Sequence, residues 1–422
     1  MRLWHALAIL VLGLVVAAGA AAGAEPVKIT WLTTMWKINA EFHEVIVEEF
    51  NSMQDRIVVQ MDPISSNAEQ AEAFVLRVAA GQPPDIVDFH PNYFYGFVRQ
   101  GLLLDLGPIL SRHPEFDLDD IYVPVRESLT VDGKLYGIPQ RISYYHLYYN
   151  VDHFNEAGVA VPASDWTDPS WNWDAYRQAA GRLSRDTNGD GVLDRVGGTF
   201  TGAIGNLVGW LAQGGARLFD PGYTTLALDS PEAIRTLEFI ADGMTRGVFR
   251  IATWQVFAGD QSSMLFETPA VANLLRESGM TSRWEVGPLP QGPAGPATAL
   301  QPVPYALVAA SPHQAEAAEF FVYLFGKEGS LRQSGAGLIV QPRRSVALEE
   351  IARAQGPPFN VRAVYQALDF ATPIPSNNEK FPEIQGVITR ALTGQIYSGQ
   401  APPATAIAGI ESQVEALLAE GR

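Results

Sequence analysis

The chain has 422 residues, of which 47% are aliphatic or aromatic and 18% are charged; that is enough apolar material for two packed cores and too much for a disordered chain. Its 29 basic and 46 acidic residues leave a formal charge of -17, which repels phosphate backbones and anionic surfaces and excludes nucleic acid as a partner. Cysteine is absent, which removes disulfides, thiolate metal sites, cysteine nucleophiles and the cysteine of a lipid anchor.

Residues 1–24 carry Arg2, an apolar run from Ala6 to Ala18 and Ala22-Gly23-Ala24 before Glu25, the pattern of a secretory signal peptide. A soluble, exported, periplasmic protein is therefore expected. Val27 to Thr33 reads as a strand, and Asn39 leads into a helix with Phe42, Val45, Ile46, Phe50 and Met53 on one face. A strand at Ile57 to Gln60, a helix from Glu69 to Gly81 and a strand at Asp85 to Asp88 complete a β-α-β-α-β run, the pattern of a parallel sheet. Ligands sit at the carboxyl ends of such strands, so Trp36, Asp88, His90, Asn92 and Tyr93 become candidate site residues.

Gly133 to Asn150 packs a turn, two strands and a proline-marked break into eighteen residues with five tyrosines, and reads as one domain handing the chain to another. Beyond it, Trp173 to Arg182 and Leu207 to Ala212 are expected as helices. Ser230-Pro231 and Ser311-Pro312 are each expected to cap a helix, and two helices, Pro382 to Leu392 and Thr405 to Leu418, are expected to close the chain.

Asp186 to Asp194, DTNGDGVLD, offers side-chain oxygens at Asp186, Asn188, Asp190 and Asp194 and a carbonyl at Val192, with glycine at loop position 6, the spacing of a calcium loop. Position 12 is Gly197 where such loops carry a bidentate glutamate. A structural Ca2+ and a plain Asx-rich turn are both compatible with it. The aromatic and polar mixture of Trp36, Tyr93, Tyr144, Tyr145 and Trp210 suits a sugar, whose apolar ring faces stack on aromatics while its hydroxyls meet polar side chains; core packing is the competing use. No GxSxG, HExxH, GxxxxGK[ST] or dinucleotide fingerprint is present.

The segments AAGQPPDIV at 79–87, GLLLDL at 101–106, LYYN at 147–150, WLAQGG at 210–215 and FAGDQSSM at 257–264, with the helix Ala315 to Leu324, occur in an order that resembles the family 1 extracellular solute-binding proteins of ABC importers, the group that includes maltose-binding proteins. The resemblance covers Glu25 to Arg422. It implies an α/β, two-lobed periplasmic-binding-protein fold of type II, each lobe a mostly parallel sheet flanked by helices, with the ligand cleft between them. Residues 25–140 and 304–340 would form the N-terminal lobe, and 141–303 and 341–422 the C-terminal lobe. Crossings would fall near Pro139 to Ser143, Pro302 to Tyr305 and Leu338 to Pro342.

Mapped onto this sequence, the family's contacts imply Trp36, Lys37, Asp88, Phe89, His90, Asn92, Tyr93, Arg141, Ser143, Tyr144, Glu267 and Thr268 as ligand-binding residues. Trp210, Tyr305 and Arg344 complete the set. Ala270 stands where maltose binders of the family carry a stacking tryptophan, which argues against long maltodextrins. The implied function is non-enzymatic: a monomer that captures a mono- or oligosaccharide and delivers it to the importer's membrane permease, needing no cofactor. A glycerol-phosphate-type ligand, held by Lys37, Arg141 and Arg344, and a secreted carbohydrate-active enzyme are the alternatives.

Overall fold

The computed structural model describes residues 25–34, 37–335, 340–353 and 358–421. The expected leader at 1–24, Trp36 and the first two residues of the third expected crossing, Leu338 and Ile339, lie outside them.

Two sheets organise the molecule. In the first, Val27–Thr34 lies between Ile57–Ile64 and Ile86–Asp88 and runs parallel to both. Ile29, Trp31, Leu32, Ile57, Ile86 and Val87 are all buried, because crossover helices cover both faces of such a sheet. Thr298–Leu307 then joins antiparallel to Ile86–Asp88 and also pairs with Ile138–Tyr144 and Ala371–Pro373. The second sheet has the order Trp284–Gly287, His146–Asn150, Ser262–Glu267, Val196–Phe200, Phe249–Ile251, with its last three strands mutually parallel. A single residue, Tyr145, separates the strand that closes the first sheet from the one that opens the second.

The helix Lys37–Met53 packs Ile46 and Phe50 inward together with His43, while Val45 and Met53 are exposed at 60% and 64%. The expected stripe was therefore too wide: the face that meets the sheet turns toward His43, whose ring lies 4.5 Å from Trp31. Ser230 caps its helix, accepting from the Ala233 amide. Ser311 does not cap directly. Its hydroxyl donates to Asp85 Oδ1, and the helix begins at Gln314. The expected last helix is two, Pro403–Ala408 and Glu411–Glu420, divided at Gly409 and Ile410.

Residues after Gln341 were expected in the second lobe, but the segment first packs on the first lobe. Arg343 is fully buried; it donates to the carbonyls of Phe116 (2.7 Å), Asp117 (3.0 Å) and Phe325 (2.9 Å) and lies 4.6 Å over the Phe116 ring. Ser345 adds two hydrogen bonds to Asp120. Contact with the second sheet begins at Phe359 and Asn360, whose amides donate to Glu285.

His146 sits at the start of the second sheet, its ring 4.6 Å from Tyr148 and 6.0 Å from Tyr144, with both ring nitrogens buried and without a hydrogen-bond partner. Burial pushes its imidazole down to about 3. The folded chain thus keeps this ring neutral while an unfolded chain protonates it below about pH 6.5, so the site loses stability as pH falls from there toward 3. Chemical denaturation of His146→Phe and the parent is expected to show a difference that grows in the variant's favour by about 1 kcal/mol per pH unit below 6.5. A difference independent of pH would contradict a neutral buried ring.

Candidate functional site

Phe200 pairs with Phe266 in the parallel ladder of the second sheet, so Thr201 and Glu267 follow side by side at its carboxyl edge, where parallel sheets meet ligands. Asn206 is buried just beyond. Its amide nitrogen donates to the Thr201 hydroxyl (2.8 Å) and carbonyl (3.1 Å), and its Oδ1 is buried without a partner. The half-buried ring of Tyr145 lies against Gly205, where a Cβ would come within 2.5 Å of Tyr145 Cε2; glycine is required for this approach. Glu267 accepts from the Thr268 amide (2.7 Å), and burial pushes its carboxyl up to about 7.

The first lobe supplies the loop after Ile86–Asp88. His90 Nδ1 accepts from the Asn92 amide (3.3 Å) and fixes the short turn Pro91–Tyr93. Asn92 then borders a cavity of about 440 Å3 whose other wall is the second-lobe helix Phe381–Ala391, through Pro382, Gln385, Gly386, Thr389 and Arg390. Asn92 Oδ1 is buried without a partner among the described residues. The Arg390 guanidinium reaches back over Gly386, where a Cβ would lie 3.3 Å from Nη1. Asn92 from one lobe and Gln385, Thr389 and Arg390 from the other thus line one space.

The remaining expected residues divide. Tyr93 is half-buried and stacks on Phe97 (6.0 Å, 17°); Ser143 and Thr268 are half-buried as well. Lys37 opens its helix and Arg141 lies in a strand, both with side chains outside the described set, and Trp36 lies outside it altogether.

Five further expected residues lie in buried, supporting positions, and a sixth lies away from the cavity. Asp88 is buried and takes hydrogen bonds from Trp31 Nε1 (2.9 Å) and from Thr34, tying two strands together; burial pushes its carboxyl up to about 6. Phe89 packs edge-on to Phe97. Tyr144 is wholly buried and donates to the Val364 carbonyl. Trp210 is buried among Trp173, Tyr176, Phe239 and Phe266. Tyr305 is buried and donates to Gln140 Oε1 (2.5 Å). Arg344 pairs with Asp369 (3.2 Å) and covers the Tyr122 ring at 4.2 Å, away from the cavity. Asn206, Gln385, Thr389 and Arg390 were not anticipated: α-helical positions carry no signal of which distant loop they will face.

The loop Asp186 to Asp194 is closed on itself. Asp186 accepts from the amides of Gly189 and Gly191, Asn188 from that of Asp190, Asp190 from that of Val192, and Asp194 from Thr187. Among the described residues no three His, Cys, Asp or Glu side chains are grouped to hold a metal ion. Gly197 explains the missing glutamate, since a Cβ there would lie 2.0 Å from the Ala180 carbonyl oxygen.

The sequence profile of the bacterial extracellular solute-binding proteins matches residues 36–330. The chain belongs to that family. Its relatives include an arabinooligosaccharide-binding protein of Bacillus subtilis, 24% identical over 217 residues that make up 50% of this chain and 46% of the relative. A mannitol-binding protein of Pseudomonas aeruginosa is 33% identical over 116 residues, 27% of this chain and 25% of the relative. The chain spans about half the length of the curated relatives it matches. Among solved structures, the sugar-binding protein MalE of Xanthomonas citri aligns with a TM-score of 0.81 at 20% identity, covering 93% of this chain and 98% of its own. The cyclic alpha-maltosyl-1,6-maltose binding protein of Arthrobacter globiformis aligns at 0.79 and 20%, covering 94% and 100%. The two-lobed α/β binding-protein fold expected from the sequence is the fold of the protein. As a solute-binding protein it belongs to a family of binders and not of enzymes. Among its described residues no helix is long and apolar enough to cross a membrane.

Glu267 gives a test that needs no ligand. Its folded carboxyl holds a proton up to about pH 7, so stability falls as pH rises from the ordinary glutamate range through 7. Glu267→Gln removes that loss and is expected to unfold later than the parent at pH 8 by about 1–2 kcal/mol, allowing for partial solvent access, and to equal it at pH 4. Equal stability at both values would refute a desolvated carboxyl.

Proposed function

We propose that the protein captures a sugar between its lobes, without chemical change, and presents it to the membrane permease of an ABC importer from outside the cytoplasmic membrane. The observation that carries this reading is the cavity shared by Asn92 and the helix Phe381–Ala391. Its volume of about 440 Å3 suits a sugar-sized ligand. A sugar hydroxyl both donates and accepts, so the ligand can pair with the Asn92 side-chain amide on one side and with Gln385, Thr389 or Arg390 on the other. Thr201, Asn206 and Glu267 offer a second polar set at the edge of the other sheet. Relatives named for an arabinooligosaccharide and for mannitol support a polyhydroxylated ligand.

The glycerol-phosphate alternative needs cations in number. Arg344 is engaged with Asp369, and Arg390 is the one cation bordering this cavity among the described residues, beside neutral amides. The balance favours a neutral ligand.

A thermal-shift screen over arabinose, mannose, maltose, mannitol, arabino- and maltodextrins and glycerol 3-phosphate is expected to find at least one sugar or polyol that raises the melting temperature in proportion to the logarithm of its concentration, by about 2.7 kcal/mol at a hundredfold excess over Kd. Asn92→Ala and Arg390→Ala are each expected to weaken that ligand by about 1–3 kcal/mol in calorimetry and to leave the ligand-free melting temperature in place. Stabilisation by glycerol 3-phosphate alone would move the reading to a phosphate ligand; parent-like affinity in both variants would remove the cavity from the site.

A further inference from the structure

Ile138–Tyr144 and Thr298–Leu307 carry the chain between the lobes, and Pro139 stands opposite Pro304 in their ladder, where neither residue has an N–H to donate. The residues next to those prolines bond across the same gap by their side chains. Gln140 Oε1 accepts from the Tyr305 hydroxyl (2.5 Å), and Gln140 Nε2 lies 2.8 Å from Nε2 of His43 on the helix Lys37–Met53. An amide nitrogen only donates, so His43 takes the tautomer that accepts there. The Tyr305 hydroxyl is itself 3.4 Å from the same His43 nitrogen. Gln140, His43 and Tyr305 thus form a triangle that ties both crossing strands to one helix of the first lobe.

The triangle also reaches the loop that borders the cavity. The His43 ring lies 4.5 Å from the ring of Trp31, whose Nε1 donates to Asp88 Oδ1 (2.9 Å). Asp88 faces Tyr305 in the sheet and ends the strand from which the His90 to Asn92 loop departs. Trp31, His43, Asp88, Gln140 and Tyr305 are all buried, so bulk water does not compete for these bonds. Apolar side chains would fill the same volume without the desolvation that a buried amide and imidazole incur, whereas hydrogen bonds in a dry core fix direction as well as distance. A polar triangle at this point serves geometry more than packing energy. At the second-lobe end, Thr298 fastens the Tyr145 backbone. Between the two fastenings lie Arg141 to Ser143 on one strand and Gln301 to Val303 on the other.

We propose that Gln140, His43 and Tyr305 are positioning residues for closure: they hold the first-lobe end of both crossing strands, confine the bend to residues 141–143 and 301–303, and keep the Asn92 loop in fixed register with that bend. The inference rests on the reading that the lobes close over a sugar, and it adds where the bend begins.

Spin-label distance measurement tests it, and the absence of cysteine lets two introduced cysteines carry the labels without interference. Glu72→Cys and Glu238→Cys place one label on an exposed helical position of each lobe. In the ligand-free protein, Gln140→Leu, which removes both amide bonds at similar volume, is expected to widen the interlobe distance distribution about twofold, and Tyr305→Phe, which removes only the hydroxyl, to widen it by less. Residues that served stability alone would lower the melting temperature and leave the distribution as in the parent; that result in both variants would overturn the proposal. Tyr305→Phe alone decides the matter if Gln140→Leu fails to fold. Repeating the measurement with maltose, arabinotriose and mannitol separates this proposal from the reading beneath it. A parent whose distance shifts with one of them, beside a variant whose shifted distance stays broad, supports both. A parent that shifts with none overturns the closure on which the inference rests.

Discussion

Two passages between the lobes share an antiparallel ladder, Ile138–Tyr144 against Thr298–Leu307. That ladder is weakest where the lobes divide. Pro304 stands opposite Pro139 and Pro302 opposite Ile142, so three positions have no N–H to donate, and the register shifts between Pro302 and Pro304. Beyond the weak stretch the ladder is secured again: Thr298 Oγ1 donates to the Tyr145 carbonyl (2.7 Å) and accepts from its amide (3.0 Å). A link that is firm at both ends and thin in the middle permits the lobes to bend about it without losing either core, which is the mechanical requirement of a protein that closes over a ligand.

This constraint also decides which tyrosine meets the boundary. Side chains alternate along a strand, so Tyr144, His146 and Tyr148 share a side in the extended run, and Tyr145 takes the other. Tyr144 and Tyr148 spend their hydroxyls on the carbonyls of Val364 and Thr268, while Tyr145 remains beside Thr201 and Glu267. The aromatic richness of Gly133 to Asn150 was legible in the sequence. Its parity was not, because a one-residue shift at the break exchanges the faces. The parallel pattern of the first sheet was legible for a physical reason: continuous apolar runs between helices have few other uses. The inward turn of Asp88 and Trp210 was not legible for a related reason, since a residue just past a strand end or in a helix rich in aromatics can turn inward when a neighbour, here Trp31 or Phe266, offers a partner.

Charge is arranged against the average. A chain of formal charge -17 places exposed arginines at two cavities, Arg390 at one and Arg217 at another. Most of its other arginines are paired on the surface, as Arg56 is with Glu319 and Arg283 with Asp152, or wholly buried, as Arg343 is. Guanidinium groups left unpaired beside aromatic rings and amides are well placed to donate to oxygen-rich ligands.

A crystal structure of the complex with whichever sugar stabilises the protein most tests the central claim directly. The expected result is a sugar ring held between the lobes, one hydroxyl within hydrogen-bond distance of Asn92 Oδ1 and another facing Gln385 or Arg390. A ligand bound within one lobe, or one that leaves Asn92 facing solvent, would contradict it.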